Sequence, residues 1–102
     1  WGGVVPAGSE CETRTLDPAD AAAIRATLAG ATVEFLVNNA GVATSKPIAD
    51  MSAGEWAAMI DVNVNALFHV THAVLPGMLA RGSGHICTIG SIAGRSAFAG
   101  VR

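Results

Sequence analysis

The chain alternates short apolar runs with longer amphipathic stretches, and the period of each predicts its conformation. Residues 33–37 (VEFLV) are mostly apolar and end on Asn38, Asn39 and Gly41, as a strand buried in a parallel sheet should. Residues 84–90 (GHICTIG) read the same way. Between them, residues 52–81 carry apolar positions at helical spacing. Trp56, Ile60, Leu67, Val70 and Val74 fall on one stripe, with Asn63 in its middle. Ser52 and Glu55 have the spacing of a capping box at the start of this long helix. Pro76 should bend it and Gly82 should end it. Trp56, Phe68 and Met78 are expected to fill the core.

Upstream, the spacing predicts a helix over residues 19–29, with Asp17 as N-cap, Pro18 at its first position and Gly30 at its end. Asp20 would sit near the positive end of its dipole. Residues 11–16 (CETRTL) are predicted as a short strand, although Glu12 and Arg14 interrupt its apolar pattern. Residues 1–9, 41–51 and 91–100 lack periodicity and read as loops. Strand, helix, strand, long helix, strand is the alternation of a parallel α/β sheet.

Composition narrows the class further. With 102 residues there is room for one domain, and 51% hydrophobic against 14% charged residues excludes a disordered chain. A net charge of −2 leaves no basic footprint for nucleic acid or an anionic membrane surface, so neither partner is expected. The longest apolar stretch, residues 66–80, is interrupted by His69, Thr71, His72 and Pro76 and falls short of the roughly 20 residues a membrane span needs. Residues 1–11 carry neither a basic n-region nor an apolar h-region, and a cytoplasmic location is expected. Cys11 and Cys87 form no CxxC motif and are expected to be free thiols, buried as small hydrophobes.

Polar residues in unexpected places carry the candidate chemistry. Asn63 lies in mid-stripe, and a buried amide must find partners, either structural ones or those of a site. Asn38, Asn39 and Ser91 fall at the carboxyl ends of presumed parallel strands, where open α/β sheets bind ligands. Ser91 could instead be a hydrolase nucleophile. Its context, Gly90-Ser91-Ile92-Ala93-Gly94, is not the G-x-S-x-G elbow, and His85 lies six residues earlier on the same strand. His69 and His72 have an i, i+3 spacing that can bind metal, but no third ligand accompanies them, so no metal site is expected.

At this point the residues resemble a family. Leu36-Val37-Asn38-Asn39-Ala40-Gly41 is similar to the NNAG segment of the classical short-chain dehydrogenases/reductases. Asp61-Val62-Asn63-Val64 followed by Ala73-Val74-Leu75-Pro76-Gly77-Met78 resembles that family's long central helix, and residues 84–94 resemble the strand bearing its catalytic serine. Asp17 matches the acidic residue that contacts the cofactor adenine. The resemblance implies a Rossmann-type, doubly wound parallel sheet of order 3-2-1-4-5-6-7. Residues 1–102 would form a central piece of that domain, truncated at both ends, and supply its third, fourth and fifth strands.

The implied activity is reversible hydride transfer between NAD or NADP and a small carbonyl/alcohol substrate. Asn39, Ala40 and Gly41 would line the adenosine and ribose side of the cofactor, and Asp17 would accept from the adenine amino group. Ser91 would bind and polarise the substrate oxygen, and Asn63 would hold a water of the proton relay. The long helix would support a homodimer or homotetramer. Residues 73–94 resemble the 3-hydroxy-acid dehydrogenase branch.

Departures from the family pattern are equally specific. No TGxxxGxG turn precedes these segments, no YxxxK follows Ser91, and the chain contains no Tyr. Lys46, the only lysine, is out of place for that motif; Ala66 stands where the family often has Gly, and Pro18 lacks a backbone donor. The 102-residue piece is therefore expected to be marginally stable and inactive by itself. A non-catalytic nucleotide-binding or interaction remnant of the same fold is the alternative.

Overall fold

The computed structural model describes residues 11–42 and 46–91. The first helix, α1, is Ala21–Leu28, and its N-cap is Asp20, whose side chain accepts from Ala23 N at 3.0 Å. The sequence points instead to Asp17. There, Oδ1 accepts from Ala19 N at 2.9 Å and the carbonyl accepts from Asp20 N at 3.0 Å. A short acidic side chain bonding two residues onward makes its own turn, and that turn delays the helix. Gly30, with φ +73°, takes the left-handed position after the C-cap Ala29.

Two strands, β1 (Phe35–Asn38) and β2 (His85–Thr88), pair in parallel, with Phe35 opposite His85 and Asn38 opposite Thr88. The ladder runs past both ends: His85 N donates to Glu34 O at 3.0 Å and Ile89 N to Asn38 O at 2.9 Å. The rings of Phe35 and His85 add a cross-strand contact, their centroids 5.7 Å apart.

Residues 11–16 form no strand, contrary to the sequence pattern. A strand requires a neighbour to take its N–H and C=O groups, and among the described residues none lies beside this segment. Side chains hold it instead. Arg14 Nη1 donates to Thr27 O at 3.0 Å, near the end of α1, while Nε and Nη2 grip Glu12 Oε1. Cys11 and Cys87 are free but exposed, not buried. The first lies on this unpaired segment, and the second lies on a strand paired along one edge only.

Between β1 and β2 the chain makes a short 3₁₀ turn, Ile48–Asp50, and then the long helix. Ser52 and Glu55 close the expected capping box, each side chain accepting from the other's backbone N–H. The helix is not continuous. Its first part, α2 (Ala53–Ile60), runs into a π turn at Asp61–Asn65, and α3 (Ala66–Arg81) follows with Pro76 inside it.

The π turn shifts the helical register at the start of α3. A widened turn adds one residue to the helical count and rotates everything after it by about 100°. On α3 the expected positions Val70 and Val74 stay half-buried and buried, Ala66 and Met78 are buried with them, and the helix packs against α1, where Ile24 is fully buried. Leu67 of the expected stripe is partly exposed, and Trp56 and Phe68 are 51% and 59% exposed. Of the three large side chains assigned to the core, only Met78 is there.

α3 ends as expected at Gly82, φ +70°, with Gly82 N donating to Leu79 O and Ser83 N to Met78 O. Arg81 Nη2 donates to Val33 O at 2.6 Å, tying the end of α3 to the approach of β1. Gly84 then crosses directly over Met78, where an added Cβ would lie 2.6 Å from its Cγ and Sδ. The expected loops at 1–9 and 92–100 lie outside the described residues. No helix among the described residues is long and apolar enough to cross a membrane.

Candidate functional site

The parallel pairing brings the carboxyl ends of β1 and β2 side by side, and the polar residues singled out from the sequence collect there. Asn38, the last residue of β1, is held on two sides. Its carbonyl accepts from Ile89 N, and its Nδ2 donates to Thr71 Oγ1 on α3 at 3.3 Å. The chain then leaves the sheet through Asn39, Ala40 and Gly41, all exposed.

The π turn supplies the opposite wall. Ala66 N–H reaches back to Asp61 O, the wide step that defines the turn, and Asn65 Nδ2 donates to Asp61 Oδ1 at 2.8 Å across it. Asn63 sits in the middle of the turn. Its side chain is not buried, contrary to the stripe argument, because the widened turn carries it out of the α3 face. The partners expected of it exist all the same. Oδ1 accepts from Val42 N at 2.9 Å and Nδ2 donates to Val42 O at 2.7 Å, so one amide pairs with one peptide. Gly41 passes so close that a Cβ there would lie 3.1 Å from Asn63 Oδ1.

Asn39, Ala40 and Asn63 line a common cleft of about 210 Å³, closed on its other sides by Pro18, Ile24 and Thr88, among others. Gly41 adjoins it through Asn63. Asp17 and Ser91 do not line it: Asp17 is exposed beside the lining residues Leu16 and Pro18, and Ser91 lies three residues beyond the end of β2.

The charged groups are peripheral. Lys46 Nζ holds both oxygens of Glu55 at 3.0 and 2.8 Å, tying the loop after the cleft to the start of α2. That ammonium, and then the Ser52 donors, keep the Glu55 carboxyl below the ordinary carboxylate range. No group of three His, Cys, Asp or Glu among the described residues could hold a metal ion. The π turn, the Thr71 contact and the Val42 partner of Asn63 have no signature in the hydrophobic pattern.

A parallel β–helix–β unit is the building block of a Rossmann-type sheet, in which ligands bind at the carboxyl ends of the strands. Comparison with known proteins makes the assignment specific. Residues 6–102 match the model of the short chain dehydrogenase family, and the chain belongs to that family. It is 41% identical over 99 residues to an NADP-dependent 3-hydroxy acid dehydrogenase of Salmonella typhi, covering 91% of this chain and 40% of that protein. Among solved structures it resembles a metagenomic short-chain oxidoreductase in complex with NADP, with a TM-score of 0.85 and 37% identity over 93% of this chain and 46% of the other. A closed serine dehydrogenase complexed with NADP⁺ superposes with a TM-score of 0.76 and 44% identity, over 83% of this chain and 37% of that one. The chain thus spans less than half the length of these relatives.

Proposed function

We propose that the protein carrying this chain is an NADP(H)-dependent oxidoreductase that interconverts a carbonyl and an alcohol, with a small 3-hydroxy acid as the leading substrate class. The observation that carries this reading is the convergence of Asn39, Ala40 and Asn63 on one cleft at the carboxyl edge of a parallel sheet. The names of the relatives favour NADP over NAD and favour 3-hydroxy acids among alcohols.

The residues fit the adenosine end of such a cofactor. At the carboxyl end of β1 the cleft is edged by the short side chains of Asn39 and Ala40, and Gly41 leaves its backbone open where a Cβ would crowd Asn63. Asn39, Ala40 and Gly41 would line the adenosine and ribose. Asp17 would accept from the adenine amino group; among the described residues its Oδ2 has no donor, while Oδ1 is engaged by Ala19. When bound, the cofactor supplies the hydride acceptor or donor.

Ser91 would donate to the substrate oxygen and polarise it, from its position just past β2. Asn63 would fix the Val42 peptide and keep the 39–41 turn in register; any water it holds would be held from this clipped position. On this reading residues 1–102 are the central part of one dinucleotide-binding domain, in a protein that forms a homodimer or homotetramer and works in the cytoplasm. The 102-residue chain alone turns over no cofactor.

The test is NADPH titration of the full-length protein, followed by oxidation of 3-hydroxy acids with NADP⁺. Micromolar binding with turnover supports the enzyme, binding without turnover supports a nucleotide-binding remnant, and no binding removes both.

A further inference from the structure

Asn39, Ala40 and Gly41 are bracketed by two tethers to one helical rod. After them, Val42 is clipped by Asn63 in the π turn. Before them, the Asn38 amide donates to Thr71 Oγ1 on α3 at 3.3 Å. The second tether is the part-buried one, and it acts on a residue with another duty, because Asn38 O accepts from Ile89 N two residues before Ser91. Strand alternation turns Asn38 to the same face as the half-buried Leu36 and away from the exposed Phe35 and Val37. In that setting the amide finds its partner on α3, and Thr71 Oγ1 fixes the rotation of the side chain.

We propose that Thr71 is a positioning residue for the dinucleotide segment: by accepting from Asn38 it sets the angle at which Asn39 leaves β1 and so the shape of the cofactor cleft. Thr71 does not itself line the cleft. Its action is through Asn38, which does. The inference rests on the reading that residues 39–41 hold NADP(H).

Thr71→Val keeps the shape of the side chain and removes the acceptor, and Thr71→Ser restores the hydroxyl. In the full-length protein, Thr71→Val should raise the Kd for NADPH about fivefold, the size of one net hydrogen bond. The kcat at saturating cofactor should stay within about twofold of the parent, since the lost interaction acts equally before and during the reaction. Thr71→Ser should return the Kd to the parent value. A helix that merely loses packing would lower the melting temperature without this split between Kd and kcat. An unchanged Kd in Thr71→Val, or failure of Thr71→Ser to restore it, overturns the proposal.

Hydrogen exchange of the Ile89 amide is a readout independent of cofactor. Its acceptor is Asn38 O, so exchange should quicken several-fold in Thr71→Val, and unchanged exchange counts against Thr71. If the unsubstituted protein binds no NADPH, the functional reading fails, and Ile89 exchange then decides by itself whether Thr71 holds Asn38.

Discussion

Asn63 and Val42, twenty-one positions apart, are paired amide to peptide: Nδ2 donates to Val42 O at 2.7 Å and Oδ1 accepts from Val42 N at 2.9 Å. The pairing saturates both polar groups of Val42 with a single side chain. It also explains why an amide stands in the π turn, where the chain is widened and Asn63 faces the loop instead of the core. Asn63→Ala should cost about 1 kcal/mol, the low end for two hydrogen bonds because the pair is exposed, and should weaken NADPH binding. Asn63→Asp keeps the acceptor but sets a carboxylate oxygen against Val42 O in place of the donor, and should be at least as costly as Asn63→Ala. Thermal midpoints and cofactor titration of the three proteins check the order; an Asn63→Ala protein equal to the parent in both would show the clip to be idle.

Much of this arrangement was legible in the chain. The β1–β2 pair, the capping box at Ser52 and Glu55 and the stop at Gly82 are written in local signals, each needing only residues a few positions apart. The strand expected at residues 11–16 is different in kind. Its pattern was weak, and a strand exists only with a partner whose distance in sequence no local signal reports. The π turn was hidden because Asp61–Asn65 have no composition that marks a widened turn; just after it Ala66 is buried in place of Leu67, while Val70 and Val74 keep their expected side. Asn63 was found for a reason that proved half right: its amide needs partners, but they lie on an exposed loop. Asn38 and Asn39 were singled out from the strand end alone, whereas Ala40 and Gly41 came from the family resemblance.

Among the described glycines, Gly84 makes the tightest approach to another residue. A Cβ at this position would fall 2.6 Å from Cγ and Sδ of Met78, which is itself 5% exposed and has little room to withdraw. Gly84→Ala should therefore destabilise by about 1–3 kcal/mol, as overpacking of a filled site does. The pair Gly84→Ala with Met78→Ala should recover part of that loss, because the second change removes the atoms struck. Urea midpoints for the two single variants and the double variant give the coupling, and strict additivity would mean that the contact carries no strain.

The buried core among the described residues is small: Ile24, Ala66, Val74 and Met78. Among the described residues Ile24 is the one fully buried side chain, and it lies on α1, which packs against α3. Ile24→Ala should cost about 2–5 kcal/mol. A small domain holds roughly 5–15 kcal/mol in all, so that loss is a large share of the whole. The purified 102-residue chain should then show no cooperative thermal transition as Ile24→Ala and a weak one as the parent sequence. A steep, high-temperature transition surviving the substitution would contradict so small a core.

The Lys46–Glu55 pair gives a pH dependence of definite sign. Lys46 first, and the Ser52 donors after it, hold the Glu55 carboxyl below its ordinary value of 4.5, so the folded protein binds this proton less readily than the unfolded chain. The stabilisation is complete above the ordinary value and is lost as pH falls through the lowered one. Both side chains are partly exposed, so the effect is modest and weakens with salt. Glu55→Gln should lower the melting temperature at pH 7 and close the gap to the parent as the pH drops below about 4. A gap that stays constant across the acid range would assign the loss to the capping box alone.

Ser91 carries the sharpest functional prediction. It lies three residues past the carboxyl end of β2, the strand paired with the one that leads into the proposed cofactor turn. If its hydroxyl donates to the substrate oxygen, the bond strengthens as negative charge develops there during hydride transfer. Removing it then raises the barrier more than it weakens ground-state binding. Ser91→Ala in the full-length protein should lower kcat by about 100-fold or more, in the range measured for single donors to a developing oxyanion. The Kd for NADPH should not change, because no step of cofactor binding uses this hydroxyl. A fall in cofactor affinity matching the fall in kcat would make Ser91 a binding residue instead. Covalent labelling of Ser91 by a fluorophosphonate would identify a nucleophile and replace the oxidoreductase reading with a hydrolytic one.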